Sequence, residues 1–286
     1  MIRNHLLIGC LFFIIPKFWY VLENRDRALS LSSTRPVVNI IAHRGASAHA
    51  PENTLASFKK AVELGADILE LDVHQTRDSQ LVVIHDNDVD RTTNGNGKIK
   101  DLTYAQLQQL DAGSWFSSQF KGEKIPLLKE VIELSPDSLT LLVELKEGSG
   151  YYPNIEERLV NLLRQQNVTH RVILKSFEDA ILNRFRELAP EIPRLKIVVA
   201  ELSFFNLVIE RGIQSGTILD DSVHYLQVHW LGATKHFIDK AHRLGYKVFA
   251  WDVNDADRMK ELINKGIDGI ETDYPDVLKT VLLEYK

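Results

Sequence analysis

From residue 37 onward the apolar positions fall into short blocks of two alternating kinds. Val37–Ala42 is apolar, rich in β-branched residues and too short for a helix, which predicts a buried strand. After it, Leu55, Phe58, Ala61, Val62 and Leu64 recur at helical spacing. Asn53 or Thr54 stands where a helix cap belongs, and Gly65 where the helix should stop. Ile68–Val73 predicts a second strand and Leu81–Ile84 a third apolar run, with a turn at Thr76–Ser79 between them. The rhythm lapses from Asn87 to about Lys124, where Asn94–Gly97 reads as a tight turn, Leu102–Leu107 as the start of a short helix, and Trp115 and Phe116 as an aromatic lid. It then resumes with a helix at 128–134, a strand at 139–144, a helix at 155–165, a strand at 172–175, a helix at 180–188 and a strand at 195–200. Residues 201–225 carry no clear period. Strands at 226–229, 247–251 and 269–272 then alternate with helices at 235–244 and 256–265, which Gly245 and Gly266 close.

Strands alternating with helices over about 250 residues predict a parallel α/β fold. No Gly-x-Gly-x-x-Gly follows the first strand, which speaks against a dinucleotide-binding sheet. A (β/α)8 TIM barrel, with a small insertion at about 87–124 on the active-site face, suits the length and the strand count. It also suits the polar residues at the C-terminal ends of strands, where barrel active sites are built.

Residues 1–36 stand apart from the domain at 37–286. Leu6–Leu22 is apolar but interrupted by Pro16 and Lys17, with Phe18, Trp19 and Tyr20 placed like interfacial anchors, and Ser30–Pro36 reads as a linker. Membrane association through residues 6–22, as an uncleaved anchor, is the leading expectation. A cleaved export signal, or a tail on a cytoplasmic enzyme, is the alternative.

The 286-residue chain is 44% hydrophobic and 26% charged, ordinary for a globular protein. A net charge of −5 argues against a broad nucleic-acid footprint, so no nucleic-acid partner is expected. The single cysteine, Cys10, excludes an intramolecular disulfide and a cysteine-rich zinc site.

Glu70 and Asp72 are two apart on a predicted strand and so share a face, and Glu144 and Lys146 repeat that spacing on a later strand. Carboxylates converging at a barrel mouth repel one another unless a cation lies between them. Oxygen donors without thiolate select one hard divalent cation, Mg²⁺ or Ca²⁺. The plainer alternative is that each acid merely pairs with a surface lysine. His43 and His85 end two other predicted strands, and imidazole moves protons both ways near neutral pH. Arg44 can grip two phosphate oxygens in its planar fork. Three carboxylates, a divalent cation, Arg44 and Lys146 leave one positive charge, which a phosphodiester would neutralise; Glu52 nearby would offset it unless paired with Arg44 or a histidine.

In their order along the chain, His43-Arg44-Gly45, Pro51-Glu52-Asn53-Thr54, Glu70-Leu71-Asp72-Val73, His85-Asp86, Asp90-Arg91-Thr92-Thr93-x-Gly95, Glu144-Leu145-Lys146 and Trp251-x-Val253-Asn254 resemble the glycerophosphodiester phosphodiesterase family from about Val37 to the C-terminus. The resemblance implies a metal-dependent hydrolase that splits glycerophosphodiesters into an alcohol and sn-glycerol 3-phosphate. It implies metal ligation by Glu70, Asp72 and Glu144, acid–base catalysis by His43 and His85, and phosphate binding by Arg44 and Lys146. It further implies that Trp251 forms a substrate wall and that Glu52 has a supporting role. On that basis His43 is the preferred base for the glycerol C2 hydroxyl and His85 the preferred acid for the leaving alcohol, through a cyclic phosphate. Three departures from the family pattern, Ser79 after Asp78, Asp252 after Trp251 and Glu271 before Thr272, are expected to touch none of these groups. His49, His74 and His229 are expected to be turn, lid or packed residues. Two alternatives stay open: a membrane-associated lysophospholipase D acting on a lysophospholipid, and a barrel that binds phosphodiesters without turnover.

Overall fold

A computed structural model describes residues 37–198 and 223–285. The apolar stretch 6–22, the linker 30–36, the unreadable segment up to residue 222 and the last two positions of the strand expected at 195–200 lie outside the described residues. Among the described residues nine strands form one sheet: β1 (Asn39–Ala42), β2 (Ile68–Gln75), β3 (Leu81–Val83), β4 (Thr140–Leu145), β5 (Val172–Ser176), β6 (Arg194–Val198), β7 (Val223–His229), β8 (Lys247–Trp251) and β9 (Gly269–Thr272). All but β3 run parallel, and pairing of β1 with both β9 and β2 closes them into an eight-stranded barrel. The third apolar run is β3, and it is not a barrel stave. It folds back antiparallel on β2, Val73 opposite Val83, because only a short turn separates the two.

Among the described residues the α-helices are α1 (Leu55–Leu64), α2 (Tyr104–Leu107), α3 (Leu128–Leu134), α4 (Ile155–Gln165), α5 (Asp179–Leu188), α6 (Lys235–Arg243), α7 (Ala256–Lys265) and α8 (Pro275–Leu283). Helix α8 follows the last predicted strand, and Pro275 at its start pre-sets the backbone angle a first helical turn needs. Thr54 caps α1 in a reciprocal box with Ser57, and Gly65 ends it at φ +82°. Among the described residues no helix is long and apolar enough to cross a membrane.

Alternation along each strand divides the core. Outward residues such as Leu69, Leu71, Leu141, Val143 and Leu174 pack under the helices. Inward residues Ile41, Ile68, Leu142, Ile173, Leu195, Ile197 and Phe249 fill the barrel. Gly269 makes room there, since a Cβ on it would lie 2.7 Å from the Phe249 ring. Continued two residues at a time, the same inward rows turn from apolar to polar: Ile41 leads to His43, Ile68 to Glu70 and Asp72, Leu142 to Glu144 and Lys146, Ile173 to Lys175, and Phe249 to Trp251. The hydrophobic plug and the polar mouth are two ends of one pattern.

The segment between β3 and α3 packs on its own small core of Val82, Ile84, Val89, Ile99, Leu107, Ala112 and Ile125. Asp111 ties its loop by accepting from the backbone N–H groups of Gly113, Ser114 and Gly122 at 2.8–2.9 Å.

Candidate active site

The turn after β1 sets the site's first residues. Arg44 and Gly45 take successive left-handed conformations, φ +55° and +83°, which turn the Arg44 N–H onto Glu70 Oε2 at 3.0 Å. Asn53, also left-handed at +56°, donates from Nδ2 to Asp72 Oδ2 at 2.8 Å. Both carboxylates are thus held from the loop that carries His43 and Arg44.

Glu70, Asp72 and Glu144 are all buried, and each offers an oxygen within 4.8 Å of the others. Lys146 Nζ bonds Asp72 Oδ1 and stands 3.3 Å from Glu144 Oε1, an oxygen that is buried with no hydrogen bond. Three oxygen ligands, one of them an orphaned buried acceptor, fit a hard divalent cation. Asp72 is pulled well below the ordinary carboxylate range: burial would raise it, but Lys146 and Arg44 outweigh burial. Burial likewise opposes the charge on Lys146, and Asp72 and Glu144 restore it, so its pKa is raised.

His43 and His85 line the same cavity, of about 110 Å³, with Arg44, Lys146, Glu144 and Trp251. Each ring is held at Nδ1 by a carboxylate, His43 by Asp273 at 2.8 Å and His85 by Asp86 at 2.6 Å. A carboxylate there fixes the proton on Nδ1 and leaves Nε2 for proton transfer. Burial would lower the His43 pKa, but the hydrogen bond to Asp273 and the fields of Glu271 and Glu70 lift it to about 9. Burial pushes the Glu271 carboxyl upward, with Lys175 pulling it back.

Glu52 accepts from Arg44 at 2.9 Å and from both terminal nitrogens of Arg91 at 2.8 and 2.7 Å. Arg91 Nε donates to Asp86 at 2.6 Å. The insertion therefore reaches the catalytic face through Arg91, which joins the supports of Arg44 and of His85. The aromatic lid is a different matter. Phe116 stacks edge to face with both Trp115 and Phe120, Trp115 Nε1 donates to Ala112 O, and none of the three lines the cavity.

All nine residues singled out in the sequence, His43, Arg44, Glu52, Glu70, Asp72, His85, Glu144, Lys146 and Trp251, converge at this end of the barrel. The departures were expected to stay clear of it, and two do not. Asp252 Oδ1 lies 3.7 Å from His43 Nδ1, and Glu271 Oε1 lies 3.9 Å from His43 Nε2. Closure of the barrel sets β9 beside β1, with β8 next to β9, a neighbourhood invisible from a linear motif. Lys175, Gln227, Phe177, Ile197 and Asp273 were missed as well. Their signal was the strand parity that continues Ile173 to Lys175 and Tyr225 to Gln227. His74 is packed as expected, between Tyr152 Oη at 2.8 Å and His85 O at 3.0 Å, and burial lowers its pKa. His49 pairs with Asp276, and His229 stacks edge-on against Trp251.

Histidines braced by carboxylates, set over a carboxylate triad with two cations within reach of a bound anion, define a barrel hydrolase of phosphate esters. Comparison with known proteins makes this specific. The model of the glycerophosphoryl diester phosphodiesterase family matches residues 43–277, and the chain belongs to that family. It is 41% identical over 242 residues to the glycerophosphodiester phosphodiesterase of Caldanaerobacter subterraneus subsp. tengcongensis, covering 84% of this chain and 95% of that protein. It is 34% identical over 243 residues to that of Bacillus altitudinis, covering 84% and 96%. Among solved structures it is similar to an Oleispira antarctica phosphodiesterase in complex with the product sn-glycerol-3-phosphate, at TM-score 0.74 and 34% identity, with 85% and 95% of the two chains covered.

Proposed function

We propose that this chain hydrolyses glycerophosphodiesters to an alcohol and sn-glycerol 3-phosphate, with a divalent cation held by Glu70, Asp72 and Glu144. The observation that carries the reading is one small cavity shared by two Nδ1-anchored histidines, the carboxylate cluster, and Arg44 and Lys146. The relatives' activity and the product bound in the Oleispira enzyme support it.

Arg44 and Lys146 bind the phosphodiester oxygens. His43 takes the proton of the glycerol C2 hydroxyl, whose oxygen attacks phosphorus. His85 gives a proton to the departing alcohol, leaving a cyclic phosphate. Water then opens the ring, with His85 as base and His43 returning its proton to the C2 oxygen. The cation supplies charge balance and orients the C2 hydroxyl when bound. The raised pKa of His43 favours its protonated form, so its work as a base begins with loss of that proton. Trp251, half-buried with its Nε1 unpartnered, forms a wall of the pocket beside Phe177 and Ile197.

Product formation by the full chain tests this, with glycerophosphocholine and lysophosphatidylcholine side by side, in Mg²⁺, in Ca²⁺ and in chelator. Cation-dependent glycerol 3-phosphate from the first substrate, lost in His43→Ala, is expected. Lysophosphatidic acid alone would move the assignment to a lysophospholipase D, and no product from either would leave a binding barrel. The choice between Mg²⁺ and Ca²⁺ is read from the same assay. On hydropathy we assign membrane attachment to residues 6–22 and the catalytic domain to 37–286. Co-sedimentation of the full chain with membranes, and loss of it when residues 1–36 are removed, tests that division.

A further inference from the structure

Lys175 sits where a strand parity argument places an inward side chain, one step above the apolar plug residue Ile173. It is almost wholly buried, with 4% of its side chain exposed, unlike Arg44 and Lys146 at 18% and 25%. Its ammonium lies 2.9 Å from Glu70 Oε1, 3.1 Å from Glu144 Oε2 and 3.2 Å from Glu271 Oε2. Two of these belong to the carboxylate cluster. The third, Glu271, also accepts from Gln227 Nε2 at 2.7 Å. Every hydrogen-bond partner of the Glu271 carboxylate is therefore a donor, and it lies against the same ammonium as the cluster.

An ammonium wedged between two ligands of a cation does two things. It screens the repulsion between Glu70, Asp72 and Glu144, so that the site keeps its shape without an ion. It also places a like charge within a few ångströms of any ion that enters, where little water intervenes to screen it. Arg44 and Lys146 stand at the cavity edge and can turn to a bound phosphate. Lys175 is fixed below the site, with three carboxylates around it. Glu271 is outside the cluster and draws the ammonium away from it, so the position and effective charge of Lys175 at the site depend on Glu271.

We infer that Lys175 is a built-in counter-cation of the carboxylate site, competing with the divalent cation for Glu70 and Glu144, and that Glu271 moderates the competition. Lys175 is thus a positioning residue that sets how loosely the cation is held. The inference rests on Glu70, Asp72 and Glu144 being the cation's ligands.

The sign of the effect separates this from a purely structural ion pair. Loss of a structural pair from either side would disorder the ligands and weaken cation binding. Competition predicts opposite signs. Lys175→Met removes the competing charge and tightens binding on the order of ten-fold or more, while Glu271→Gln leaves the ammonium wholly to Glu70 and Glu144 and weakens it on a similar scale. Full-length protein stripped with chelator would be titrated calorimetrically with Mn²⁺, then Mg²⁺ and Ca²⁺, with circular dichroism to establish folding. Tighter binding in Lys175→Met and weaker binding in Glu271→Gln support the inference. Unchanged or weaker binding in a folded Lys175→Met overturns it. If Lys175→Met does not fold, Glu271→Gln still tests the inference, and unchanged or tighter binding there overturns it. Wild-type protein that takes up no cation overturns this inference and the reading of the carboxylate site together, whereas wild-type binding with the wrong signs overturns only the role of Lys175.

Discussion

Replacing Asp273 by Asn tests the electrostatics that prepare His43. The imidazole is 13% exposed and the carboxylate 30%, so little solvent screens the 2.8 Å contact between them. The rise of His43 from 6.5 to about 9 includes Glu271 and Glu70 as well as Asp273, so it overstates this one pair. The fall of Asp273 from 3.8 to about 2 is opposed by burial and driven chiefly by His43, and is the closer measure. At ~1.36 kcal/mol per pH unit it corresponds to roughly 2 kcal/mol. Because the folded-state pKa of His43 is raised, this stabilisation is fully present below pH 6.5 and is lost as pH rises through about 9. Urea unfolding of chelated wild type and Asp273→Asn should therefore differ by roughly 2 kcal/mol at pH 6 and by much less at pH 10. The His43 ring resonances should titrate at lower pH in the variant. An equal difference at both pH values would mean that Asp273 only packs and does not raise the His43 pKa.

Three further outcomes are expected. Gly45→Ala should cost more than ~2 kcal/mol in a thermal melt, since φ is +83° and the new Cβ would lie 2.6 Å from the Ser57 backbone carbon; a melt within experimental error of wild type would contradict it. Arg91→Ala should leave stability within ~1 kcal/mol, because Arg91 is 43% exposed, yet lower kcat about ten-fold by freeing Glu52 and Asp86 together; steady-state kinetics beside a denaturant curve separates the two effects. Asp72→Asn should weaken cation binding by ~100-fold or more and leave Lys146 without its shortest ion pair; calorimetry with Mn²⁺ checks it.

The barrel was legible because its signal is local. Most strands centre on an apolar run of a few residues, the longer helices carry apolar residues at helical spacing, and the stops at Gly65, Gly245 and Gly266 are written in single residues. Helices α4 and α7 and strands β8 and β9 begin and end where the pattern predicts. What the pattern left open was which partner a strand takes. Leu81–Val83 has the composition of a barrel strand, but its partner is decided by a short turn, so it pairs antiparallel outside the barrel.

For the site, the sequence by itself determined the residues whose chemistry is unusual in its place: histidines at strand ends, and acids two apart on a strand bound for burial. A charged side chain is costly inside a barrel unless it is paired, so its presence in a buried strand already carries information. Which charges meet was decided by strand pairing and by closure of the barrel. Lys175 reads as an ordinary lysine until β5 lies beside β4 and β9 faces it across the interior, and Asp273 and Glu271 become neighbours of His43 only when β9 pairs with β1. Parity along one strand can be counted in a sequence, but the balance of charge among strands more than a hundred residues apart exists only in the folded barrel.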